Sequence, residues 1–225
     1  MPGYIKLKPQ ETFDYRSIPN RIKLDYAHGL KDPNQRALEG IQRLLAHFRT
    51  LDMNIDGLLT EAADLIWRHM SIDNVAIGLR DPKDGMYRYR AMVGFRPDAL
   101  EGHKRIAYSK EQFYANSEFN GTDVGNCSRI YLAEDNPLTE VEKKAFNRPG
   151  LLAMRRQTSS DSLEGDYIDT RICGVNDELL GWIEISGTRT LKLPEASTIR
   201  WVEAIAGIIA AAIICQSGHK VREKA

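Results

Sequence analysis

The chain has 225 residues, of which 42% are hydrophobic and 28% are charged, so its composition suits one globular domain rather than a disordered segment. Lysine plus arginine and aspartate plus glutamate each number 31, which gives a formal net charge of zero. This balance disfavours broad binding to nucleic acid or to an anionic membrane, because both need a concentrated basic surface.

The cysteines and the apolar runs favour a cytoplasmic protein. Cys127, Cys173 and Cys215 are an odd number and lie far apart, so they predict reduced thiols and not a disulfide framework. The opening "MPGYIKLKPQ" lacks the apolar region of a signal peptide. The apolar run from Ala204 to Cys215 is shorter than the roughly 20 residues that span a bilayer, so we expect a buried helix there.

The N-terminal part of the chain predicts an arm followed by helices. Residues 1–31 contain three prolines and no clean period, which favours an irregular arm, assigned to 1–33, that packs on another surface. A helix is expected over 34–53, because Asp32 is placed to cap it and Pro33 suits its first position. Four apolar residues recur there at helical spacing: Leu38, Ile41, Leu45 and Phe48. A second helix is predicted over 56–70.

Two hairpins stand out by alternation of apolar and polar residues. The first joins a strand around 75–79 to one over 86–95 through the turn "DPKDG". The second joins strands over 167–175 and 179–187 through a polar turn. Between them, residues 97–165 lose the period, and we name them the cover segment.

The cover segment is predicted to hold a few short elements. "SRIYL", residues 128–132, is typical of a short strand. Thr139 with Glu142 forms a capping box for a brief helix over 139–146. The polar run over 155–166 predicts a surface loop.

The last helix, expected from "LPEAS" to about Gln216, is apolar on two sides. Its predicted core stripe is Ile199, Val202, Ile205, Ile209, Ala212 and Ile213. Its opposite side carries Trp201, Ala204, Ile208, Ala211 and Cys215. A helix that is apolar all round is normally buried all round, so we expect one side to face a sheet and the other to face a partner.

The element order predicts an α+β fold with a mostly antiparallel sheet that is covered on both faces. Three stretches then resemble the GAF domain, a small-molecule sensor module of signalling proteins: "NVAIGLRDPKDGMYRYRAMVGF", "YIDTRICGVNDELLGWIEISG" and "PEASTIRWVEAIAGIIAAAI". The resemblance implies a PAS-like sheet with terminal helices on one face, an irregular helical cover on the other, and dimerisation through those helices. It divides the chain into an arm at 1–33, a helix at 34–53, the GAF-like domain at 54–217 and a basic tail at 218–225.

Strand alternation predicts which residues face a pocket under the cover segment. Alternate strand residues that are all apolar should face the helices, and alternate residues of mixed polarity should face the cover segment. The predicted ligand-binding residues are Phe113, Tyr114, Phe119, Cys127, Arg129, Tyr131, Asp169 and Arg171. They would suit an anionic or polar aromatic ligand. The alternative is that Asp169 forms an ion pair with an arginine on an exposed sheet face.

Other chemistries have fewer residues to support them. Some relatives in the resembled family reduce methionine sulfoxide with several cysteines, but only Cys127 lies in a comparable loop, and no second cysteine is expected near it. His103 is the candidate for a haem ligand, although a surface or hydrogen-bonded histidine is the simpler interpretation. The five histidines show no metal-ligand spacing, so no metal is predicted and the cofactor remains unknown.

Three functions therefore remain open. The first is a sensor that binds a cytosolic small molecule and signals through dimer helices to a separate partner protein. The second is a structural dimerisation domain whose pocket is filled by its own side chains. The third is a thiol-dependent reductase acting through Cys127.

Overall fold

The computed structural model describes residues 18–29, 32–49, 53–114, 120–136 and 148–222. Its helices are α1 (Ile18–Gly29), α2 (Pro33–Ala46), α3 (Ile55–His69), α4 (Pro97–Lys104), α5 (Lys110–Tyr114) and α6 (Ala196–Arg222). Its strands are β1 (Ile72–Arg80), β2 (Tyr87–Val93), β3 (Gly121–Asp123), β4 (Ser128–Tyr131), β5 (Tyr167–Cys173) and β6 (Leu179–Thr188). Short 3-10 turns lie at His47–Arg49, Pro149–Leu151 and Val175–Asp177.

The six strands form one sheet in the order β2-β1-β6-β5-β4-β3, and every neighbouring pair is antiparallel. The two predicted hairpins are β1–β2 and β5–β6, and β6 also pairs with β1 at the centre. The prediction of an α+β fold with an antiparallel sheet is confirmed. The short edge strand β3 lies in the cover segment, where the sequence shows no period.

The apolar face of the sheet packs against α3 and α6, with α2 beside them. Alternate strand residues supply this core: Val75, Ile77, Ile168, Ile172, Ile183 and Ile185. The helices contribute fully buried side chains, among them Leu58, Leu59, Ile66, Val202, Ile205 and Ile209. Burying a side chain of this size stabilises the fold by about 1.5–3 kcal/mol, so this layer fixes where the opposite face of the sheet lies.

Helix α2 begins as predicted but turns a different face inward. The Asp32 carboxylate accepts the Asn34 N–H at 2.9 Å and caps the helix. Ala37 and Leu44 are buried, whereas Leu38 and Leu45 are 42% and 48% exposed. The helical spacing of Leu38, Ile41, Leu45 and Phe48 predicted the helix, but periodicity alone could not say which of two overlapping apolar faces meets α3.

Part of the predicted irregular arm is helical. Helix α1 occupies residues 18–29, because Pro19 lies in the first turn, where its missing N–H costs nothing. Its Ile22, Leu24 and Tyr26 side chains are between 58% and 64% exposed. Residues 1–17 of the arm lie outside the described residues.

The predicted alternation along β2 is interrupted by a bulge. Ile77 pairs with Ala91, but the next residue of β1, Gly78, pairs with Tyr89, so Arg90 is the extra residue. Ala91 therefore faces the helices while Tyr89 faces the other way. The expectation that both share a face was wrong, since a bulge leaves no mark on the alternation of the sequence.

A large aromatic side chain lies directly over a glycine at the centre of the sheet. Trp182 on β6 is 1% exposed and pairs with Gly78 on β1. A Cβ atom at Gly78 would lie 2.0 Å from the Trp182 ring, so only glycine leaves room for it. Gly181 allows β6 to lie close to β1, because a Cβ atom at Gly181 would lie 2.1 Å from the Gly78 carbonyl oxygen.

Helix α6 is longer than predicted and continues through residues 218–222, which we had assigned to a basic tail. Among the described residues it is the one helix long and apolar enough to cross a membrane. One of its sides packs into the domain, where Val202, Ile205 and Ile209 are completely buried. Core packing thus accounts for the apolar character of that side, and the other side leaves Ala204, Ala211 and Cys215 exposed.

The predicted surface loop at 155–166 is irregular, but two arginines tie its neighbourhood to buried acids. Arg156 donates to both oxygens of Asp166, at 2.9 Å each. Arg148 donates to Glu164 and Asp73, also at 2.9 Å. The brief helix predicted over 139–146 lies outside the described residues.

We expect Gly78→Ala to lower the free energy of unfolding by about 1–3 kcal/mol, because the new methyl group forces Trp182 out of its position. Urea denaturation monitored by circular dichroism measures this change. Gly102→Ala is the matched control, since nothing lies within 4 Å of a Cβ there. The control should be neutral or stabilising by up to about 1 kcal/mol; equal stabilisation of both variants would contradict the packing described.

Candidate functional site

The sheet face opposite the core helices has a filled half and an open half. Over β2, β1 and β6, aromatic rings pack edge to face. Their centroids lie 5.0 Å apart for Tyr89 and Trp182, 5.7 Å for Tyr108 and Trp182, and 5.2 Å for Tyr89 and His103. The Tyr87 hydroxyl, also buried there, donates to the Leu179 carbonyl oxygen at 2.8 Å. Side chains of the domain itself occupy this half.

The open half, over β5 and β4, holds a pocket of about 310 Å³. Its lining residues are Asp123, Gly125, Asn126, Cys127, Ser128, Arg129, Tyr131, Asp169, Arg171 and Trp182. This volume lies at the lower end of the range for small-molecule sites. Trp182 forms the boundary between the filled half and the pocket.

Five of the eight predicted site residues lie together in this lining: Cys127, Arg129, Tyr131, Asp169 and Arg171. Phe113 and Tyr114 belong to α5, while Phe119 lies outside the described residues. Whether any of the eight binds a ligand stays a prediction. Sequence reasoning missed Trp182 and the loop residues Asp123 to Asn126; the bulky residue beside Gly181 was a signal for the former.

The floor of the pocket is acidic. Asp169 on β5 and Glu184 on β6 are directly opposed in the register, which places their Cβ atoms about 4.5–5.5 Å apart. The Oδ1 atom of Asp169 is buried and has no hydrogen-bond partner. Burial, and then repulsion from Glu184, raise the pKa of Asp169 well above its ordinary value. No described arginine forms an ion pair with Asp169, so the predicted exposed ion pair is not found.

The Glu184 carboxyl has hydrogen-bond partners that the Asp169 Oδ1 atom lacks. Burial raises the pKa of its carboxyl, and hydrogen bonds from Tyr89 and Trp182 oppose that rise. The Tyr89 hydroxyl donates to Glu184 Oε2 at 2.9 Å. The two acids therefore differ: Glu184 is held by the aromatic cluster, and Asp169 presents the unpartnered oxygen.

Tyrosines surround the acidic floor. Tyr131 and Tyr167 stack with centroids 4.6 Å apart and an angle of 11° between their rings. Burial, followed by the nearby Asp169, raises the pKa of both hydroxyls. Both tyrosines next to Asp169 thus remain neutral near pH 7, and neither supplies a positive charge.

Neither arginine of the lining forms an ion pair with Asp169, although Arg129 is opposite it in the β4–β5 register. Arg129 donates to Asp123 Oδ1 at 2.9 Å, which occupies its guanidinium. The Arg171 side chain is exposed, and its guanidinium makes no hydrogen bond or ion pair with a described residue, although its charge acts on Asp123 and Cys127. Arg171 is therefore the cation of the lining that is available to an incoming anion.

A carboxylate on α6 holds one wall of the pocket. Glu203 Oε1 accepts the Cys127 backbone N–H at 2.9 Å and the Ser128 hydroxyl at 3.0 Å. Burial alone would raise the pKa of the Glu203 carboxyl, but these hydrogen bonds hold it below its ordinary value. A Cβ at Gly125 would lie 2.3 Å from Glu203 Oε1, so this glycine lets the wall approach the helix.

The Cys127 thiol is poorly placed for nucleophilic chemistry. Burial raises its pKa to about 11, and Glu203 and Cys173 add to the rise. Since the thiolate is the nucleophile, such a thiol reacts slowly at neutral pH. The expectation that no second cysteine lies nearby was wrong: antiparallel pairing of β4 and β5 brings Cys173 close enough to affect Cys127.

His103 does not line the pocket. Its ring packs edge-on against Tyr89 and Phe95, and its Nδ1 atom is buried without a hydrogen-bond partner. Burial lowers the pKa of His103. Among the residues that the structure describes, no three His, Cys, Asp or Glu side chains are grouped so that they could hold a metal ion.

We expect Asp169→Asn to become more stable relative to the wild type as pH rises. Near pH 4, about the ordinary pKa of aspartate, the carboxyl is protonated in the folded chain. Because the folded-state pKa is raised, the unfolded chain releases its proton first, so the wild type loses unfolding free energy as pH rises through the folded-state pKa. Urea denaturation at several pH values between about 4 and 8 measures the difference.

The groups that face Asp169 are Glu184 from β6, Arg129 and Tyr131 from β4, and Arg171 and Tyr167 from β5. Of these only Glu184 titrates in that interval, and it shifts in the same direction. Asp177→Asn, in the exposed turn after β5, is the matched control. A pH-independent difference for Asp169→Asn, equal to that of the control, would show that Asp169 is hydrated like an ordinary surface acid.

No protein-family model and no curated protein matches the chain. Solved structures do resemble it in fold. A GAF domain/HD domain protein from Geobacter sulfurreducens aligns with a TM-score of 0.52 and 9% identity, over 73% of this chain and 94% of that one. The GAF domain of a phosphoenolpyruvate-protein phosphotransferase from Coxiella burnetii gives 0.50 and 14%, over 83% and 97%. The A. aeolicus nlh2 GAF domain gives 0.50 and 12%, over 80% and 96%. With these neighbours and its own sheet order, the chain has a GAF-like fold.

Proposed function

We propose that this chain is a sensor or regulatory domain that binds a small molecule in the pocket and transmits the binding to α6. The observation that carries the proposal is Glu203, since one carboxylate of α6 holds the wall formed by residues 125–128. Structural likeness to GAF domains, including that of a phosphotransferase, supports a regulatory role.

The proposed transmission needs only that the ligand favour one position of the pocket wall. Hydrogen bonds to a charged group contribute about 1.5–3 kcal/mol each, so the wall does not leave Glu203 without a substantial cost. A ligand that shifts Cys127 or Ser128 must therefore either shift α6 as well or break these bonds. The Ser128 hydroxyl also contacts Thr170 Oγ1 at 2.9 Å, which extends the connection to β5.

The scaffold alternative explains only half of the face. It fits the aromatic cluster around Trp182, which fills its space with side chains of the domain. It does not account for the pocket over β5, where Asp169 Oδ1 is left without a partner. The reductase alternative requires a reactive thiol, and the raised pKa of Cys127 disfavours it.

We also propose that two copies of the chain pair through α6. Ala204, Gly207, Ala211 and Cys215 lie exposed along the side of α6 that faces away from the sheet, and Ile214 is 41% exposed. Exposed apolar patches of this kind are typical of interaction sites, and a two-fold axis would let the same side of each copy cover the other. Pairing would place the output of the pocket on a shared helix layer, from which a separate partner protein could read it.

The first test screens the full chain against amino acids, nucleotides, aromatic acids and organic acids by thermal shift, with wild type and Cys127→Trp in parallel. We expect one class to raise the melting temperature of the wild type and not that of the variant, whose indole fills the pocket. Hydrogen exchange of α6 with the compound found should slow in the wild type and respond less in Glu203→Gln, which keeps the shape and removes the charge.

Glu195→Gln is the matched control for this exchange experiment, because Glu195 precedes the same helix and is exposed. The proposal would be contradicted if no compound class acted on the wild type. It would also fail as a sensor if a bound compound left exchange of α6 unchanged in the wild type, since binding would then not reach the helix.

The second test concerns pairing. Sedimentation equilibrium at micromolar concentration should give a dimer for the wild type and a monomer for Ala211→Glu, because the new carboxylate would have to be buried in the interface. Met154→Glu is the control, since Met154 is also an exposed apolar residue, 49% accessible, but lies outside the helix layer. A monomeric wild type, or a dimer that survives Ala211→Glu, would rule out pairing through this side of α6.

A further inference from the structure

The pocket combines an acidic end and a basic end along one strand. Asp169 and Arg171 are two residues apart on β5 and face the same way, so their backbone positions lie about 6.6 Å apart. Asp169 has an unpartnered buried oxygen, and the exposed Arg171 guanidinium has no hydrogen-bond partner among the described residues. Each end therefore lacks the opposite charge or hydrogen-bonding group that would complete it.

The buried carboxyl at the acidic end determines which charge a ligand group can carry beside it. A buried carboxyl without a partner is costly, and the cost is removed by a cation or a strong N–H donor placed beside it. The neighbouring groups do not supply one: Glu184 and Tyr131 carry no positive charge, and Arg129, although opposite Asp169 in the register, donates to Asp123 and forms no ion pair with Asp169. An anion placed at this end would instead meet the Asp169 carboxyl, with Glu184 opposite it in the register, so this end favours a cationic group over an acid.

The walls suit the same kind of ligand. The Trp182 indole and the Tyr131 ring both line the pocket, and the faces of such rings attract ammonium and guanidinium groups. At the other end, the Arg171 guanidinium matches a carboxylate or phosphate oxygen pair. The distance of about 6.6 Å between the backbone positions of Asp169 and Arg171 suits one small molecule that contacts both ends.

We propose that the pocket takes a small zwitterion of the amino-acid class, with its ammonium group beside Asp169 and its carboxylate toward Arg171. This inference rests on the proposed sensor function and narrows its ligand. It differs from the anionic or polar aromatic ligand that the sequence suggested, because the sequence did not show that Asp169 keeps an oxygen without a hydrogen-bond partner.

The test uses ligands that differ by one group. The twenty amino acids are first titrated into the full chain by calorimetry, together with two matched sets. The first set is phenylalanine, 2-phenylethylamine and 3-phenylpropanoate; the second is leucine, isoamylamine and 4-methylpentanoate. Within the set related to the amino acid that binds, the amine should bind more weakly than the amino acid, and the acid should not bind.

The variants assign each end. Asp169→Asn should weaken binding of the amino acid and of the amine by roughly 10- to 100-fold, the size expected for a lost charge-assisted hydrogen bond. Arg171→Gln should weaken binding of the amino acid by a smaller factor. It should leave the affinity for the amine unchanged, because the amine has no carboxylate. Asp177→Asn and Arg200→Gln, both at exposed positions outside the pocket, should leave every affinity unchanged.

Several outcomes would overturn the inference. If the acid binds as tightly as the amino acid, or if Asp169→Asn binds both unchanged, the ammonium does not sit beside Asp169. If a nucleotide or an aromatic acid binds and no amino acid does, the sensor function stands and the ligand class is wrong. If Asp169→Asn does not fold, the ligand sets still decide the question on the wild type, because they need no variant.

Discussion

The contact between Trp182 and Gly78 determines where this domain has room for a ligand. The indole lies over the glycine at the centre of the sheet and anchors the rings of Tyr89 and Tyr108 around it. Those rings close one half of the face, so the pocket is confined to the half over β5 and β4. A side chain at Gly78 would displace the indole toward the pocket, because the sheet itself blocks movement the other way.

The second constraint is the polar connection between the two layers. The layer of helices is joined to the sheet mainly by apolar side chains, whose contacts have little directional preference. Glu203, Ser128 and Thr170 interrupt that layer with hydrogen bonds, which are directional. They fix α6 against the pocket wall at one position, which is the physical basis of the proposed transmission from the wall to the helix.

The sequence predicted the fold well because its main signals are periodic. Alternation placed Ile168, Thr170 and Ile172 on the face opposite Asp169 and Arg171, and the structure has them so. It failed where geometry depends on events that leave no periodic mark. The bulge at Arg90 reversed Tyr89, and the choice of buried face on α2 depended on the position of α3. The candidate site was predicted only in part for the same reason: parity gives the side of a sheet, but not which ring fills the space above it.

The contrast within one sheet face bears on what the pocket is for. Over β1 the chain buries aromatic rings with their hydroxyl groups paired, an arrangement that stabilises the fold. Over β5 it keeps a carboxyl with an unpartnered oxygen beside a second acid, which replacement by an apolar pair would relieve. Buried polar groups that cost stability are typical of functional sites, where a ligand supplies the missing partner. The pocket thus departs from the packing rules that the same sheet follows a few ångströms away, and a ligand that neutralises Asp169 is the simplest physical reason for that departure.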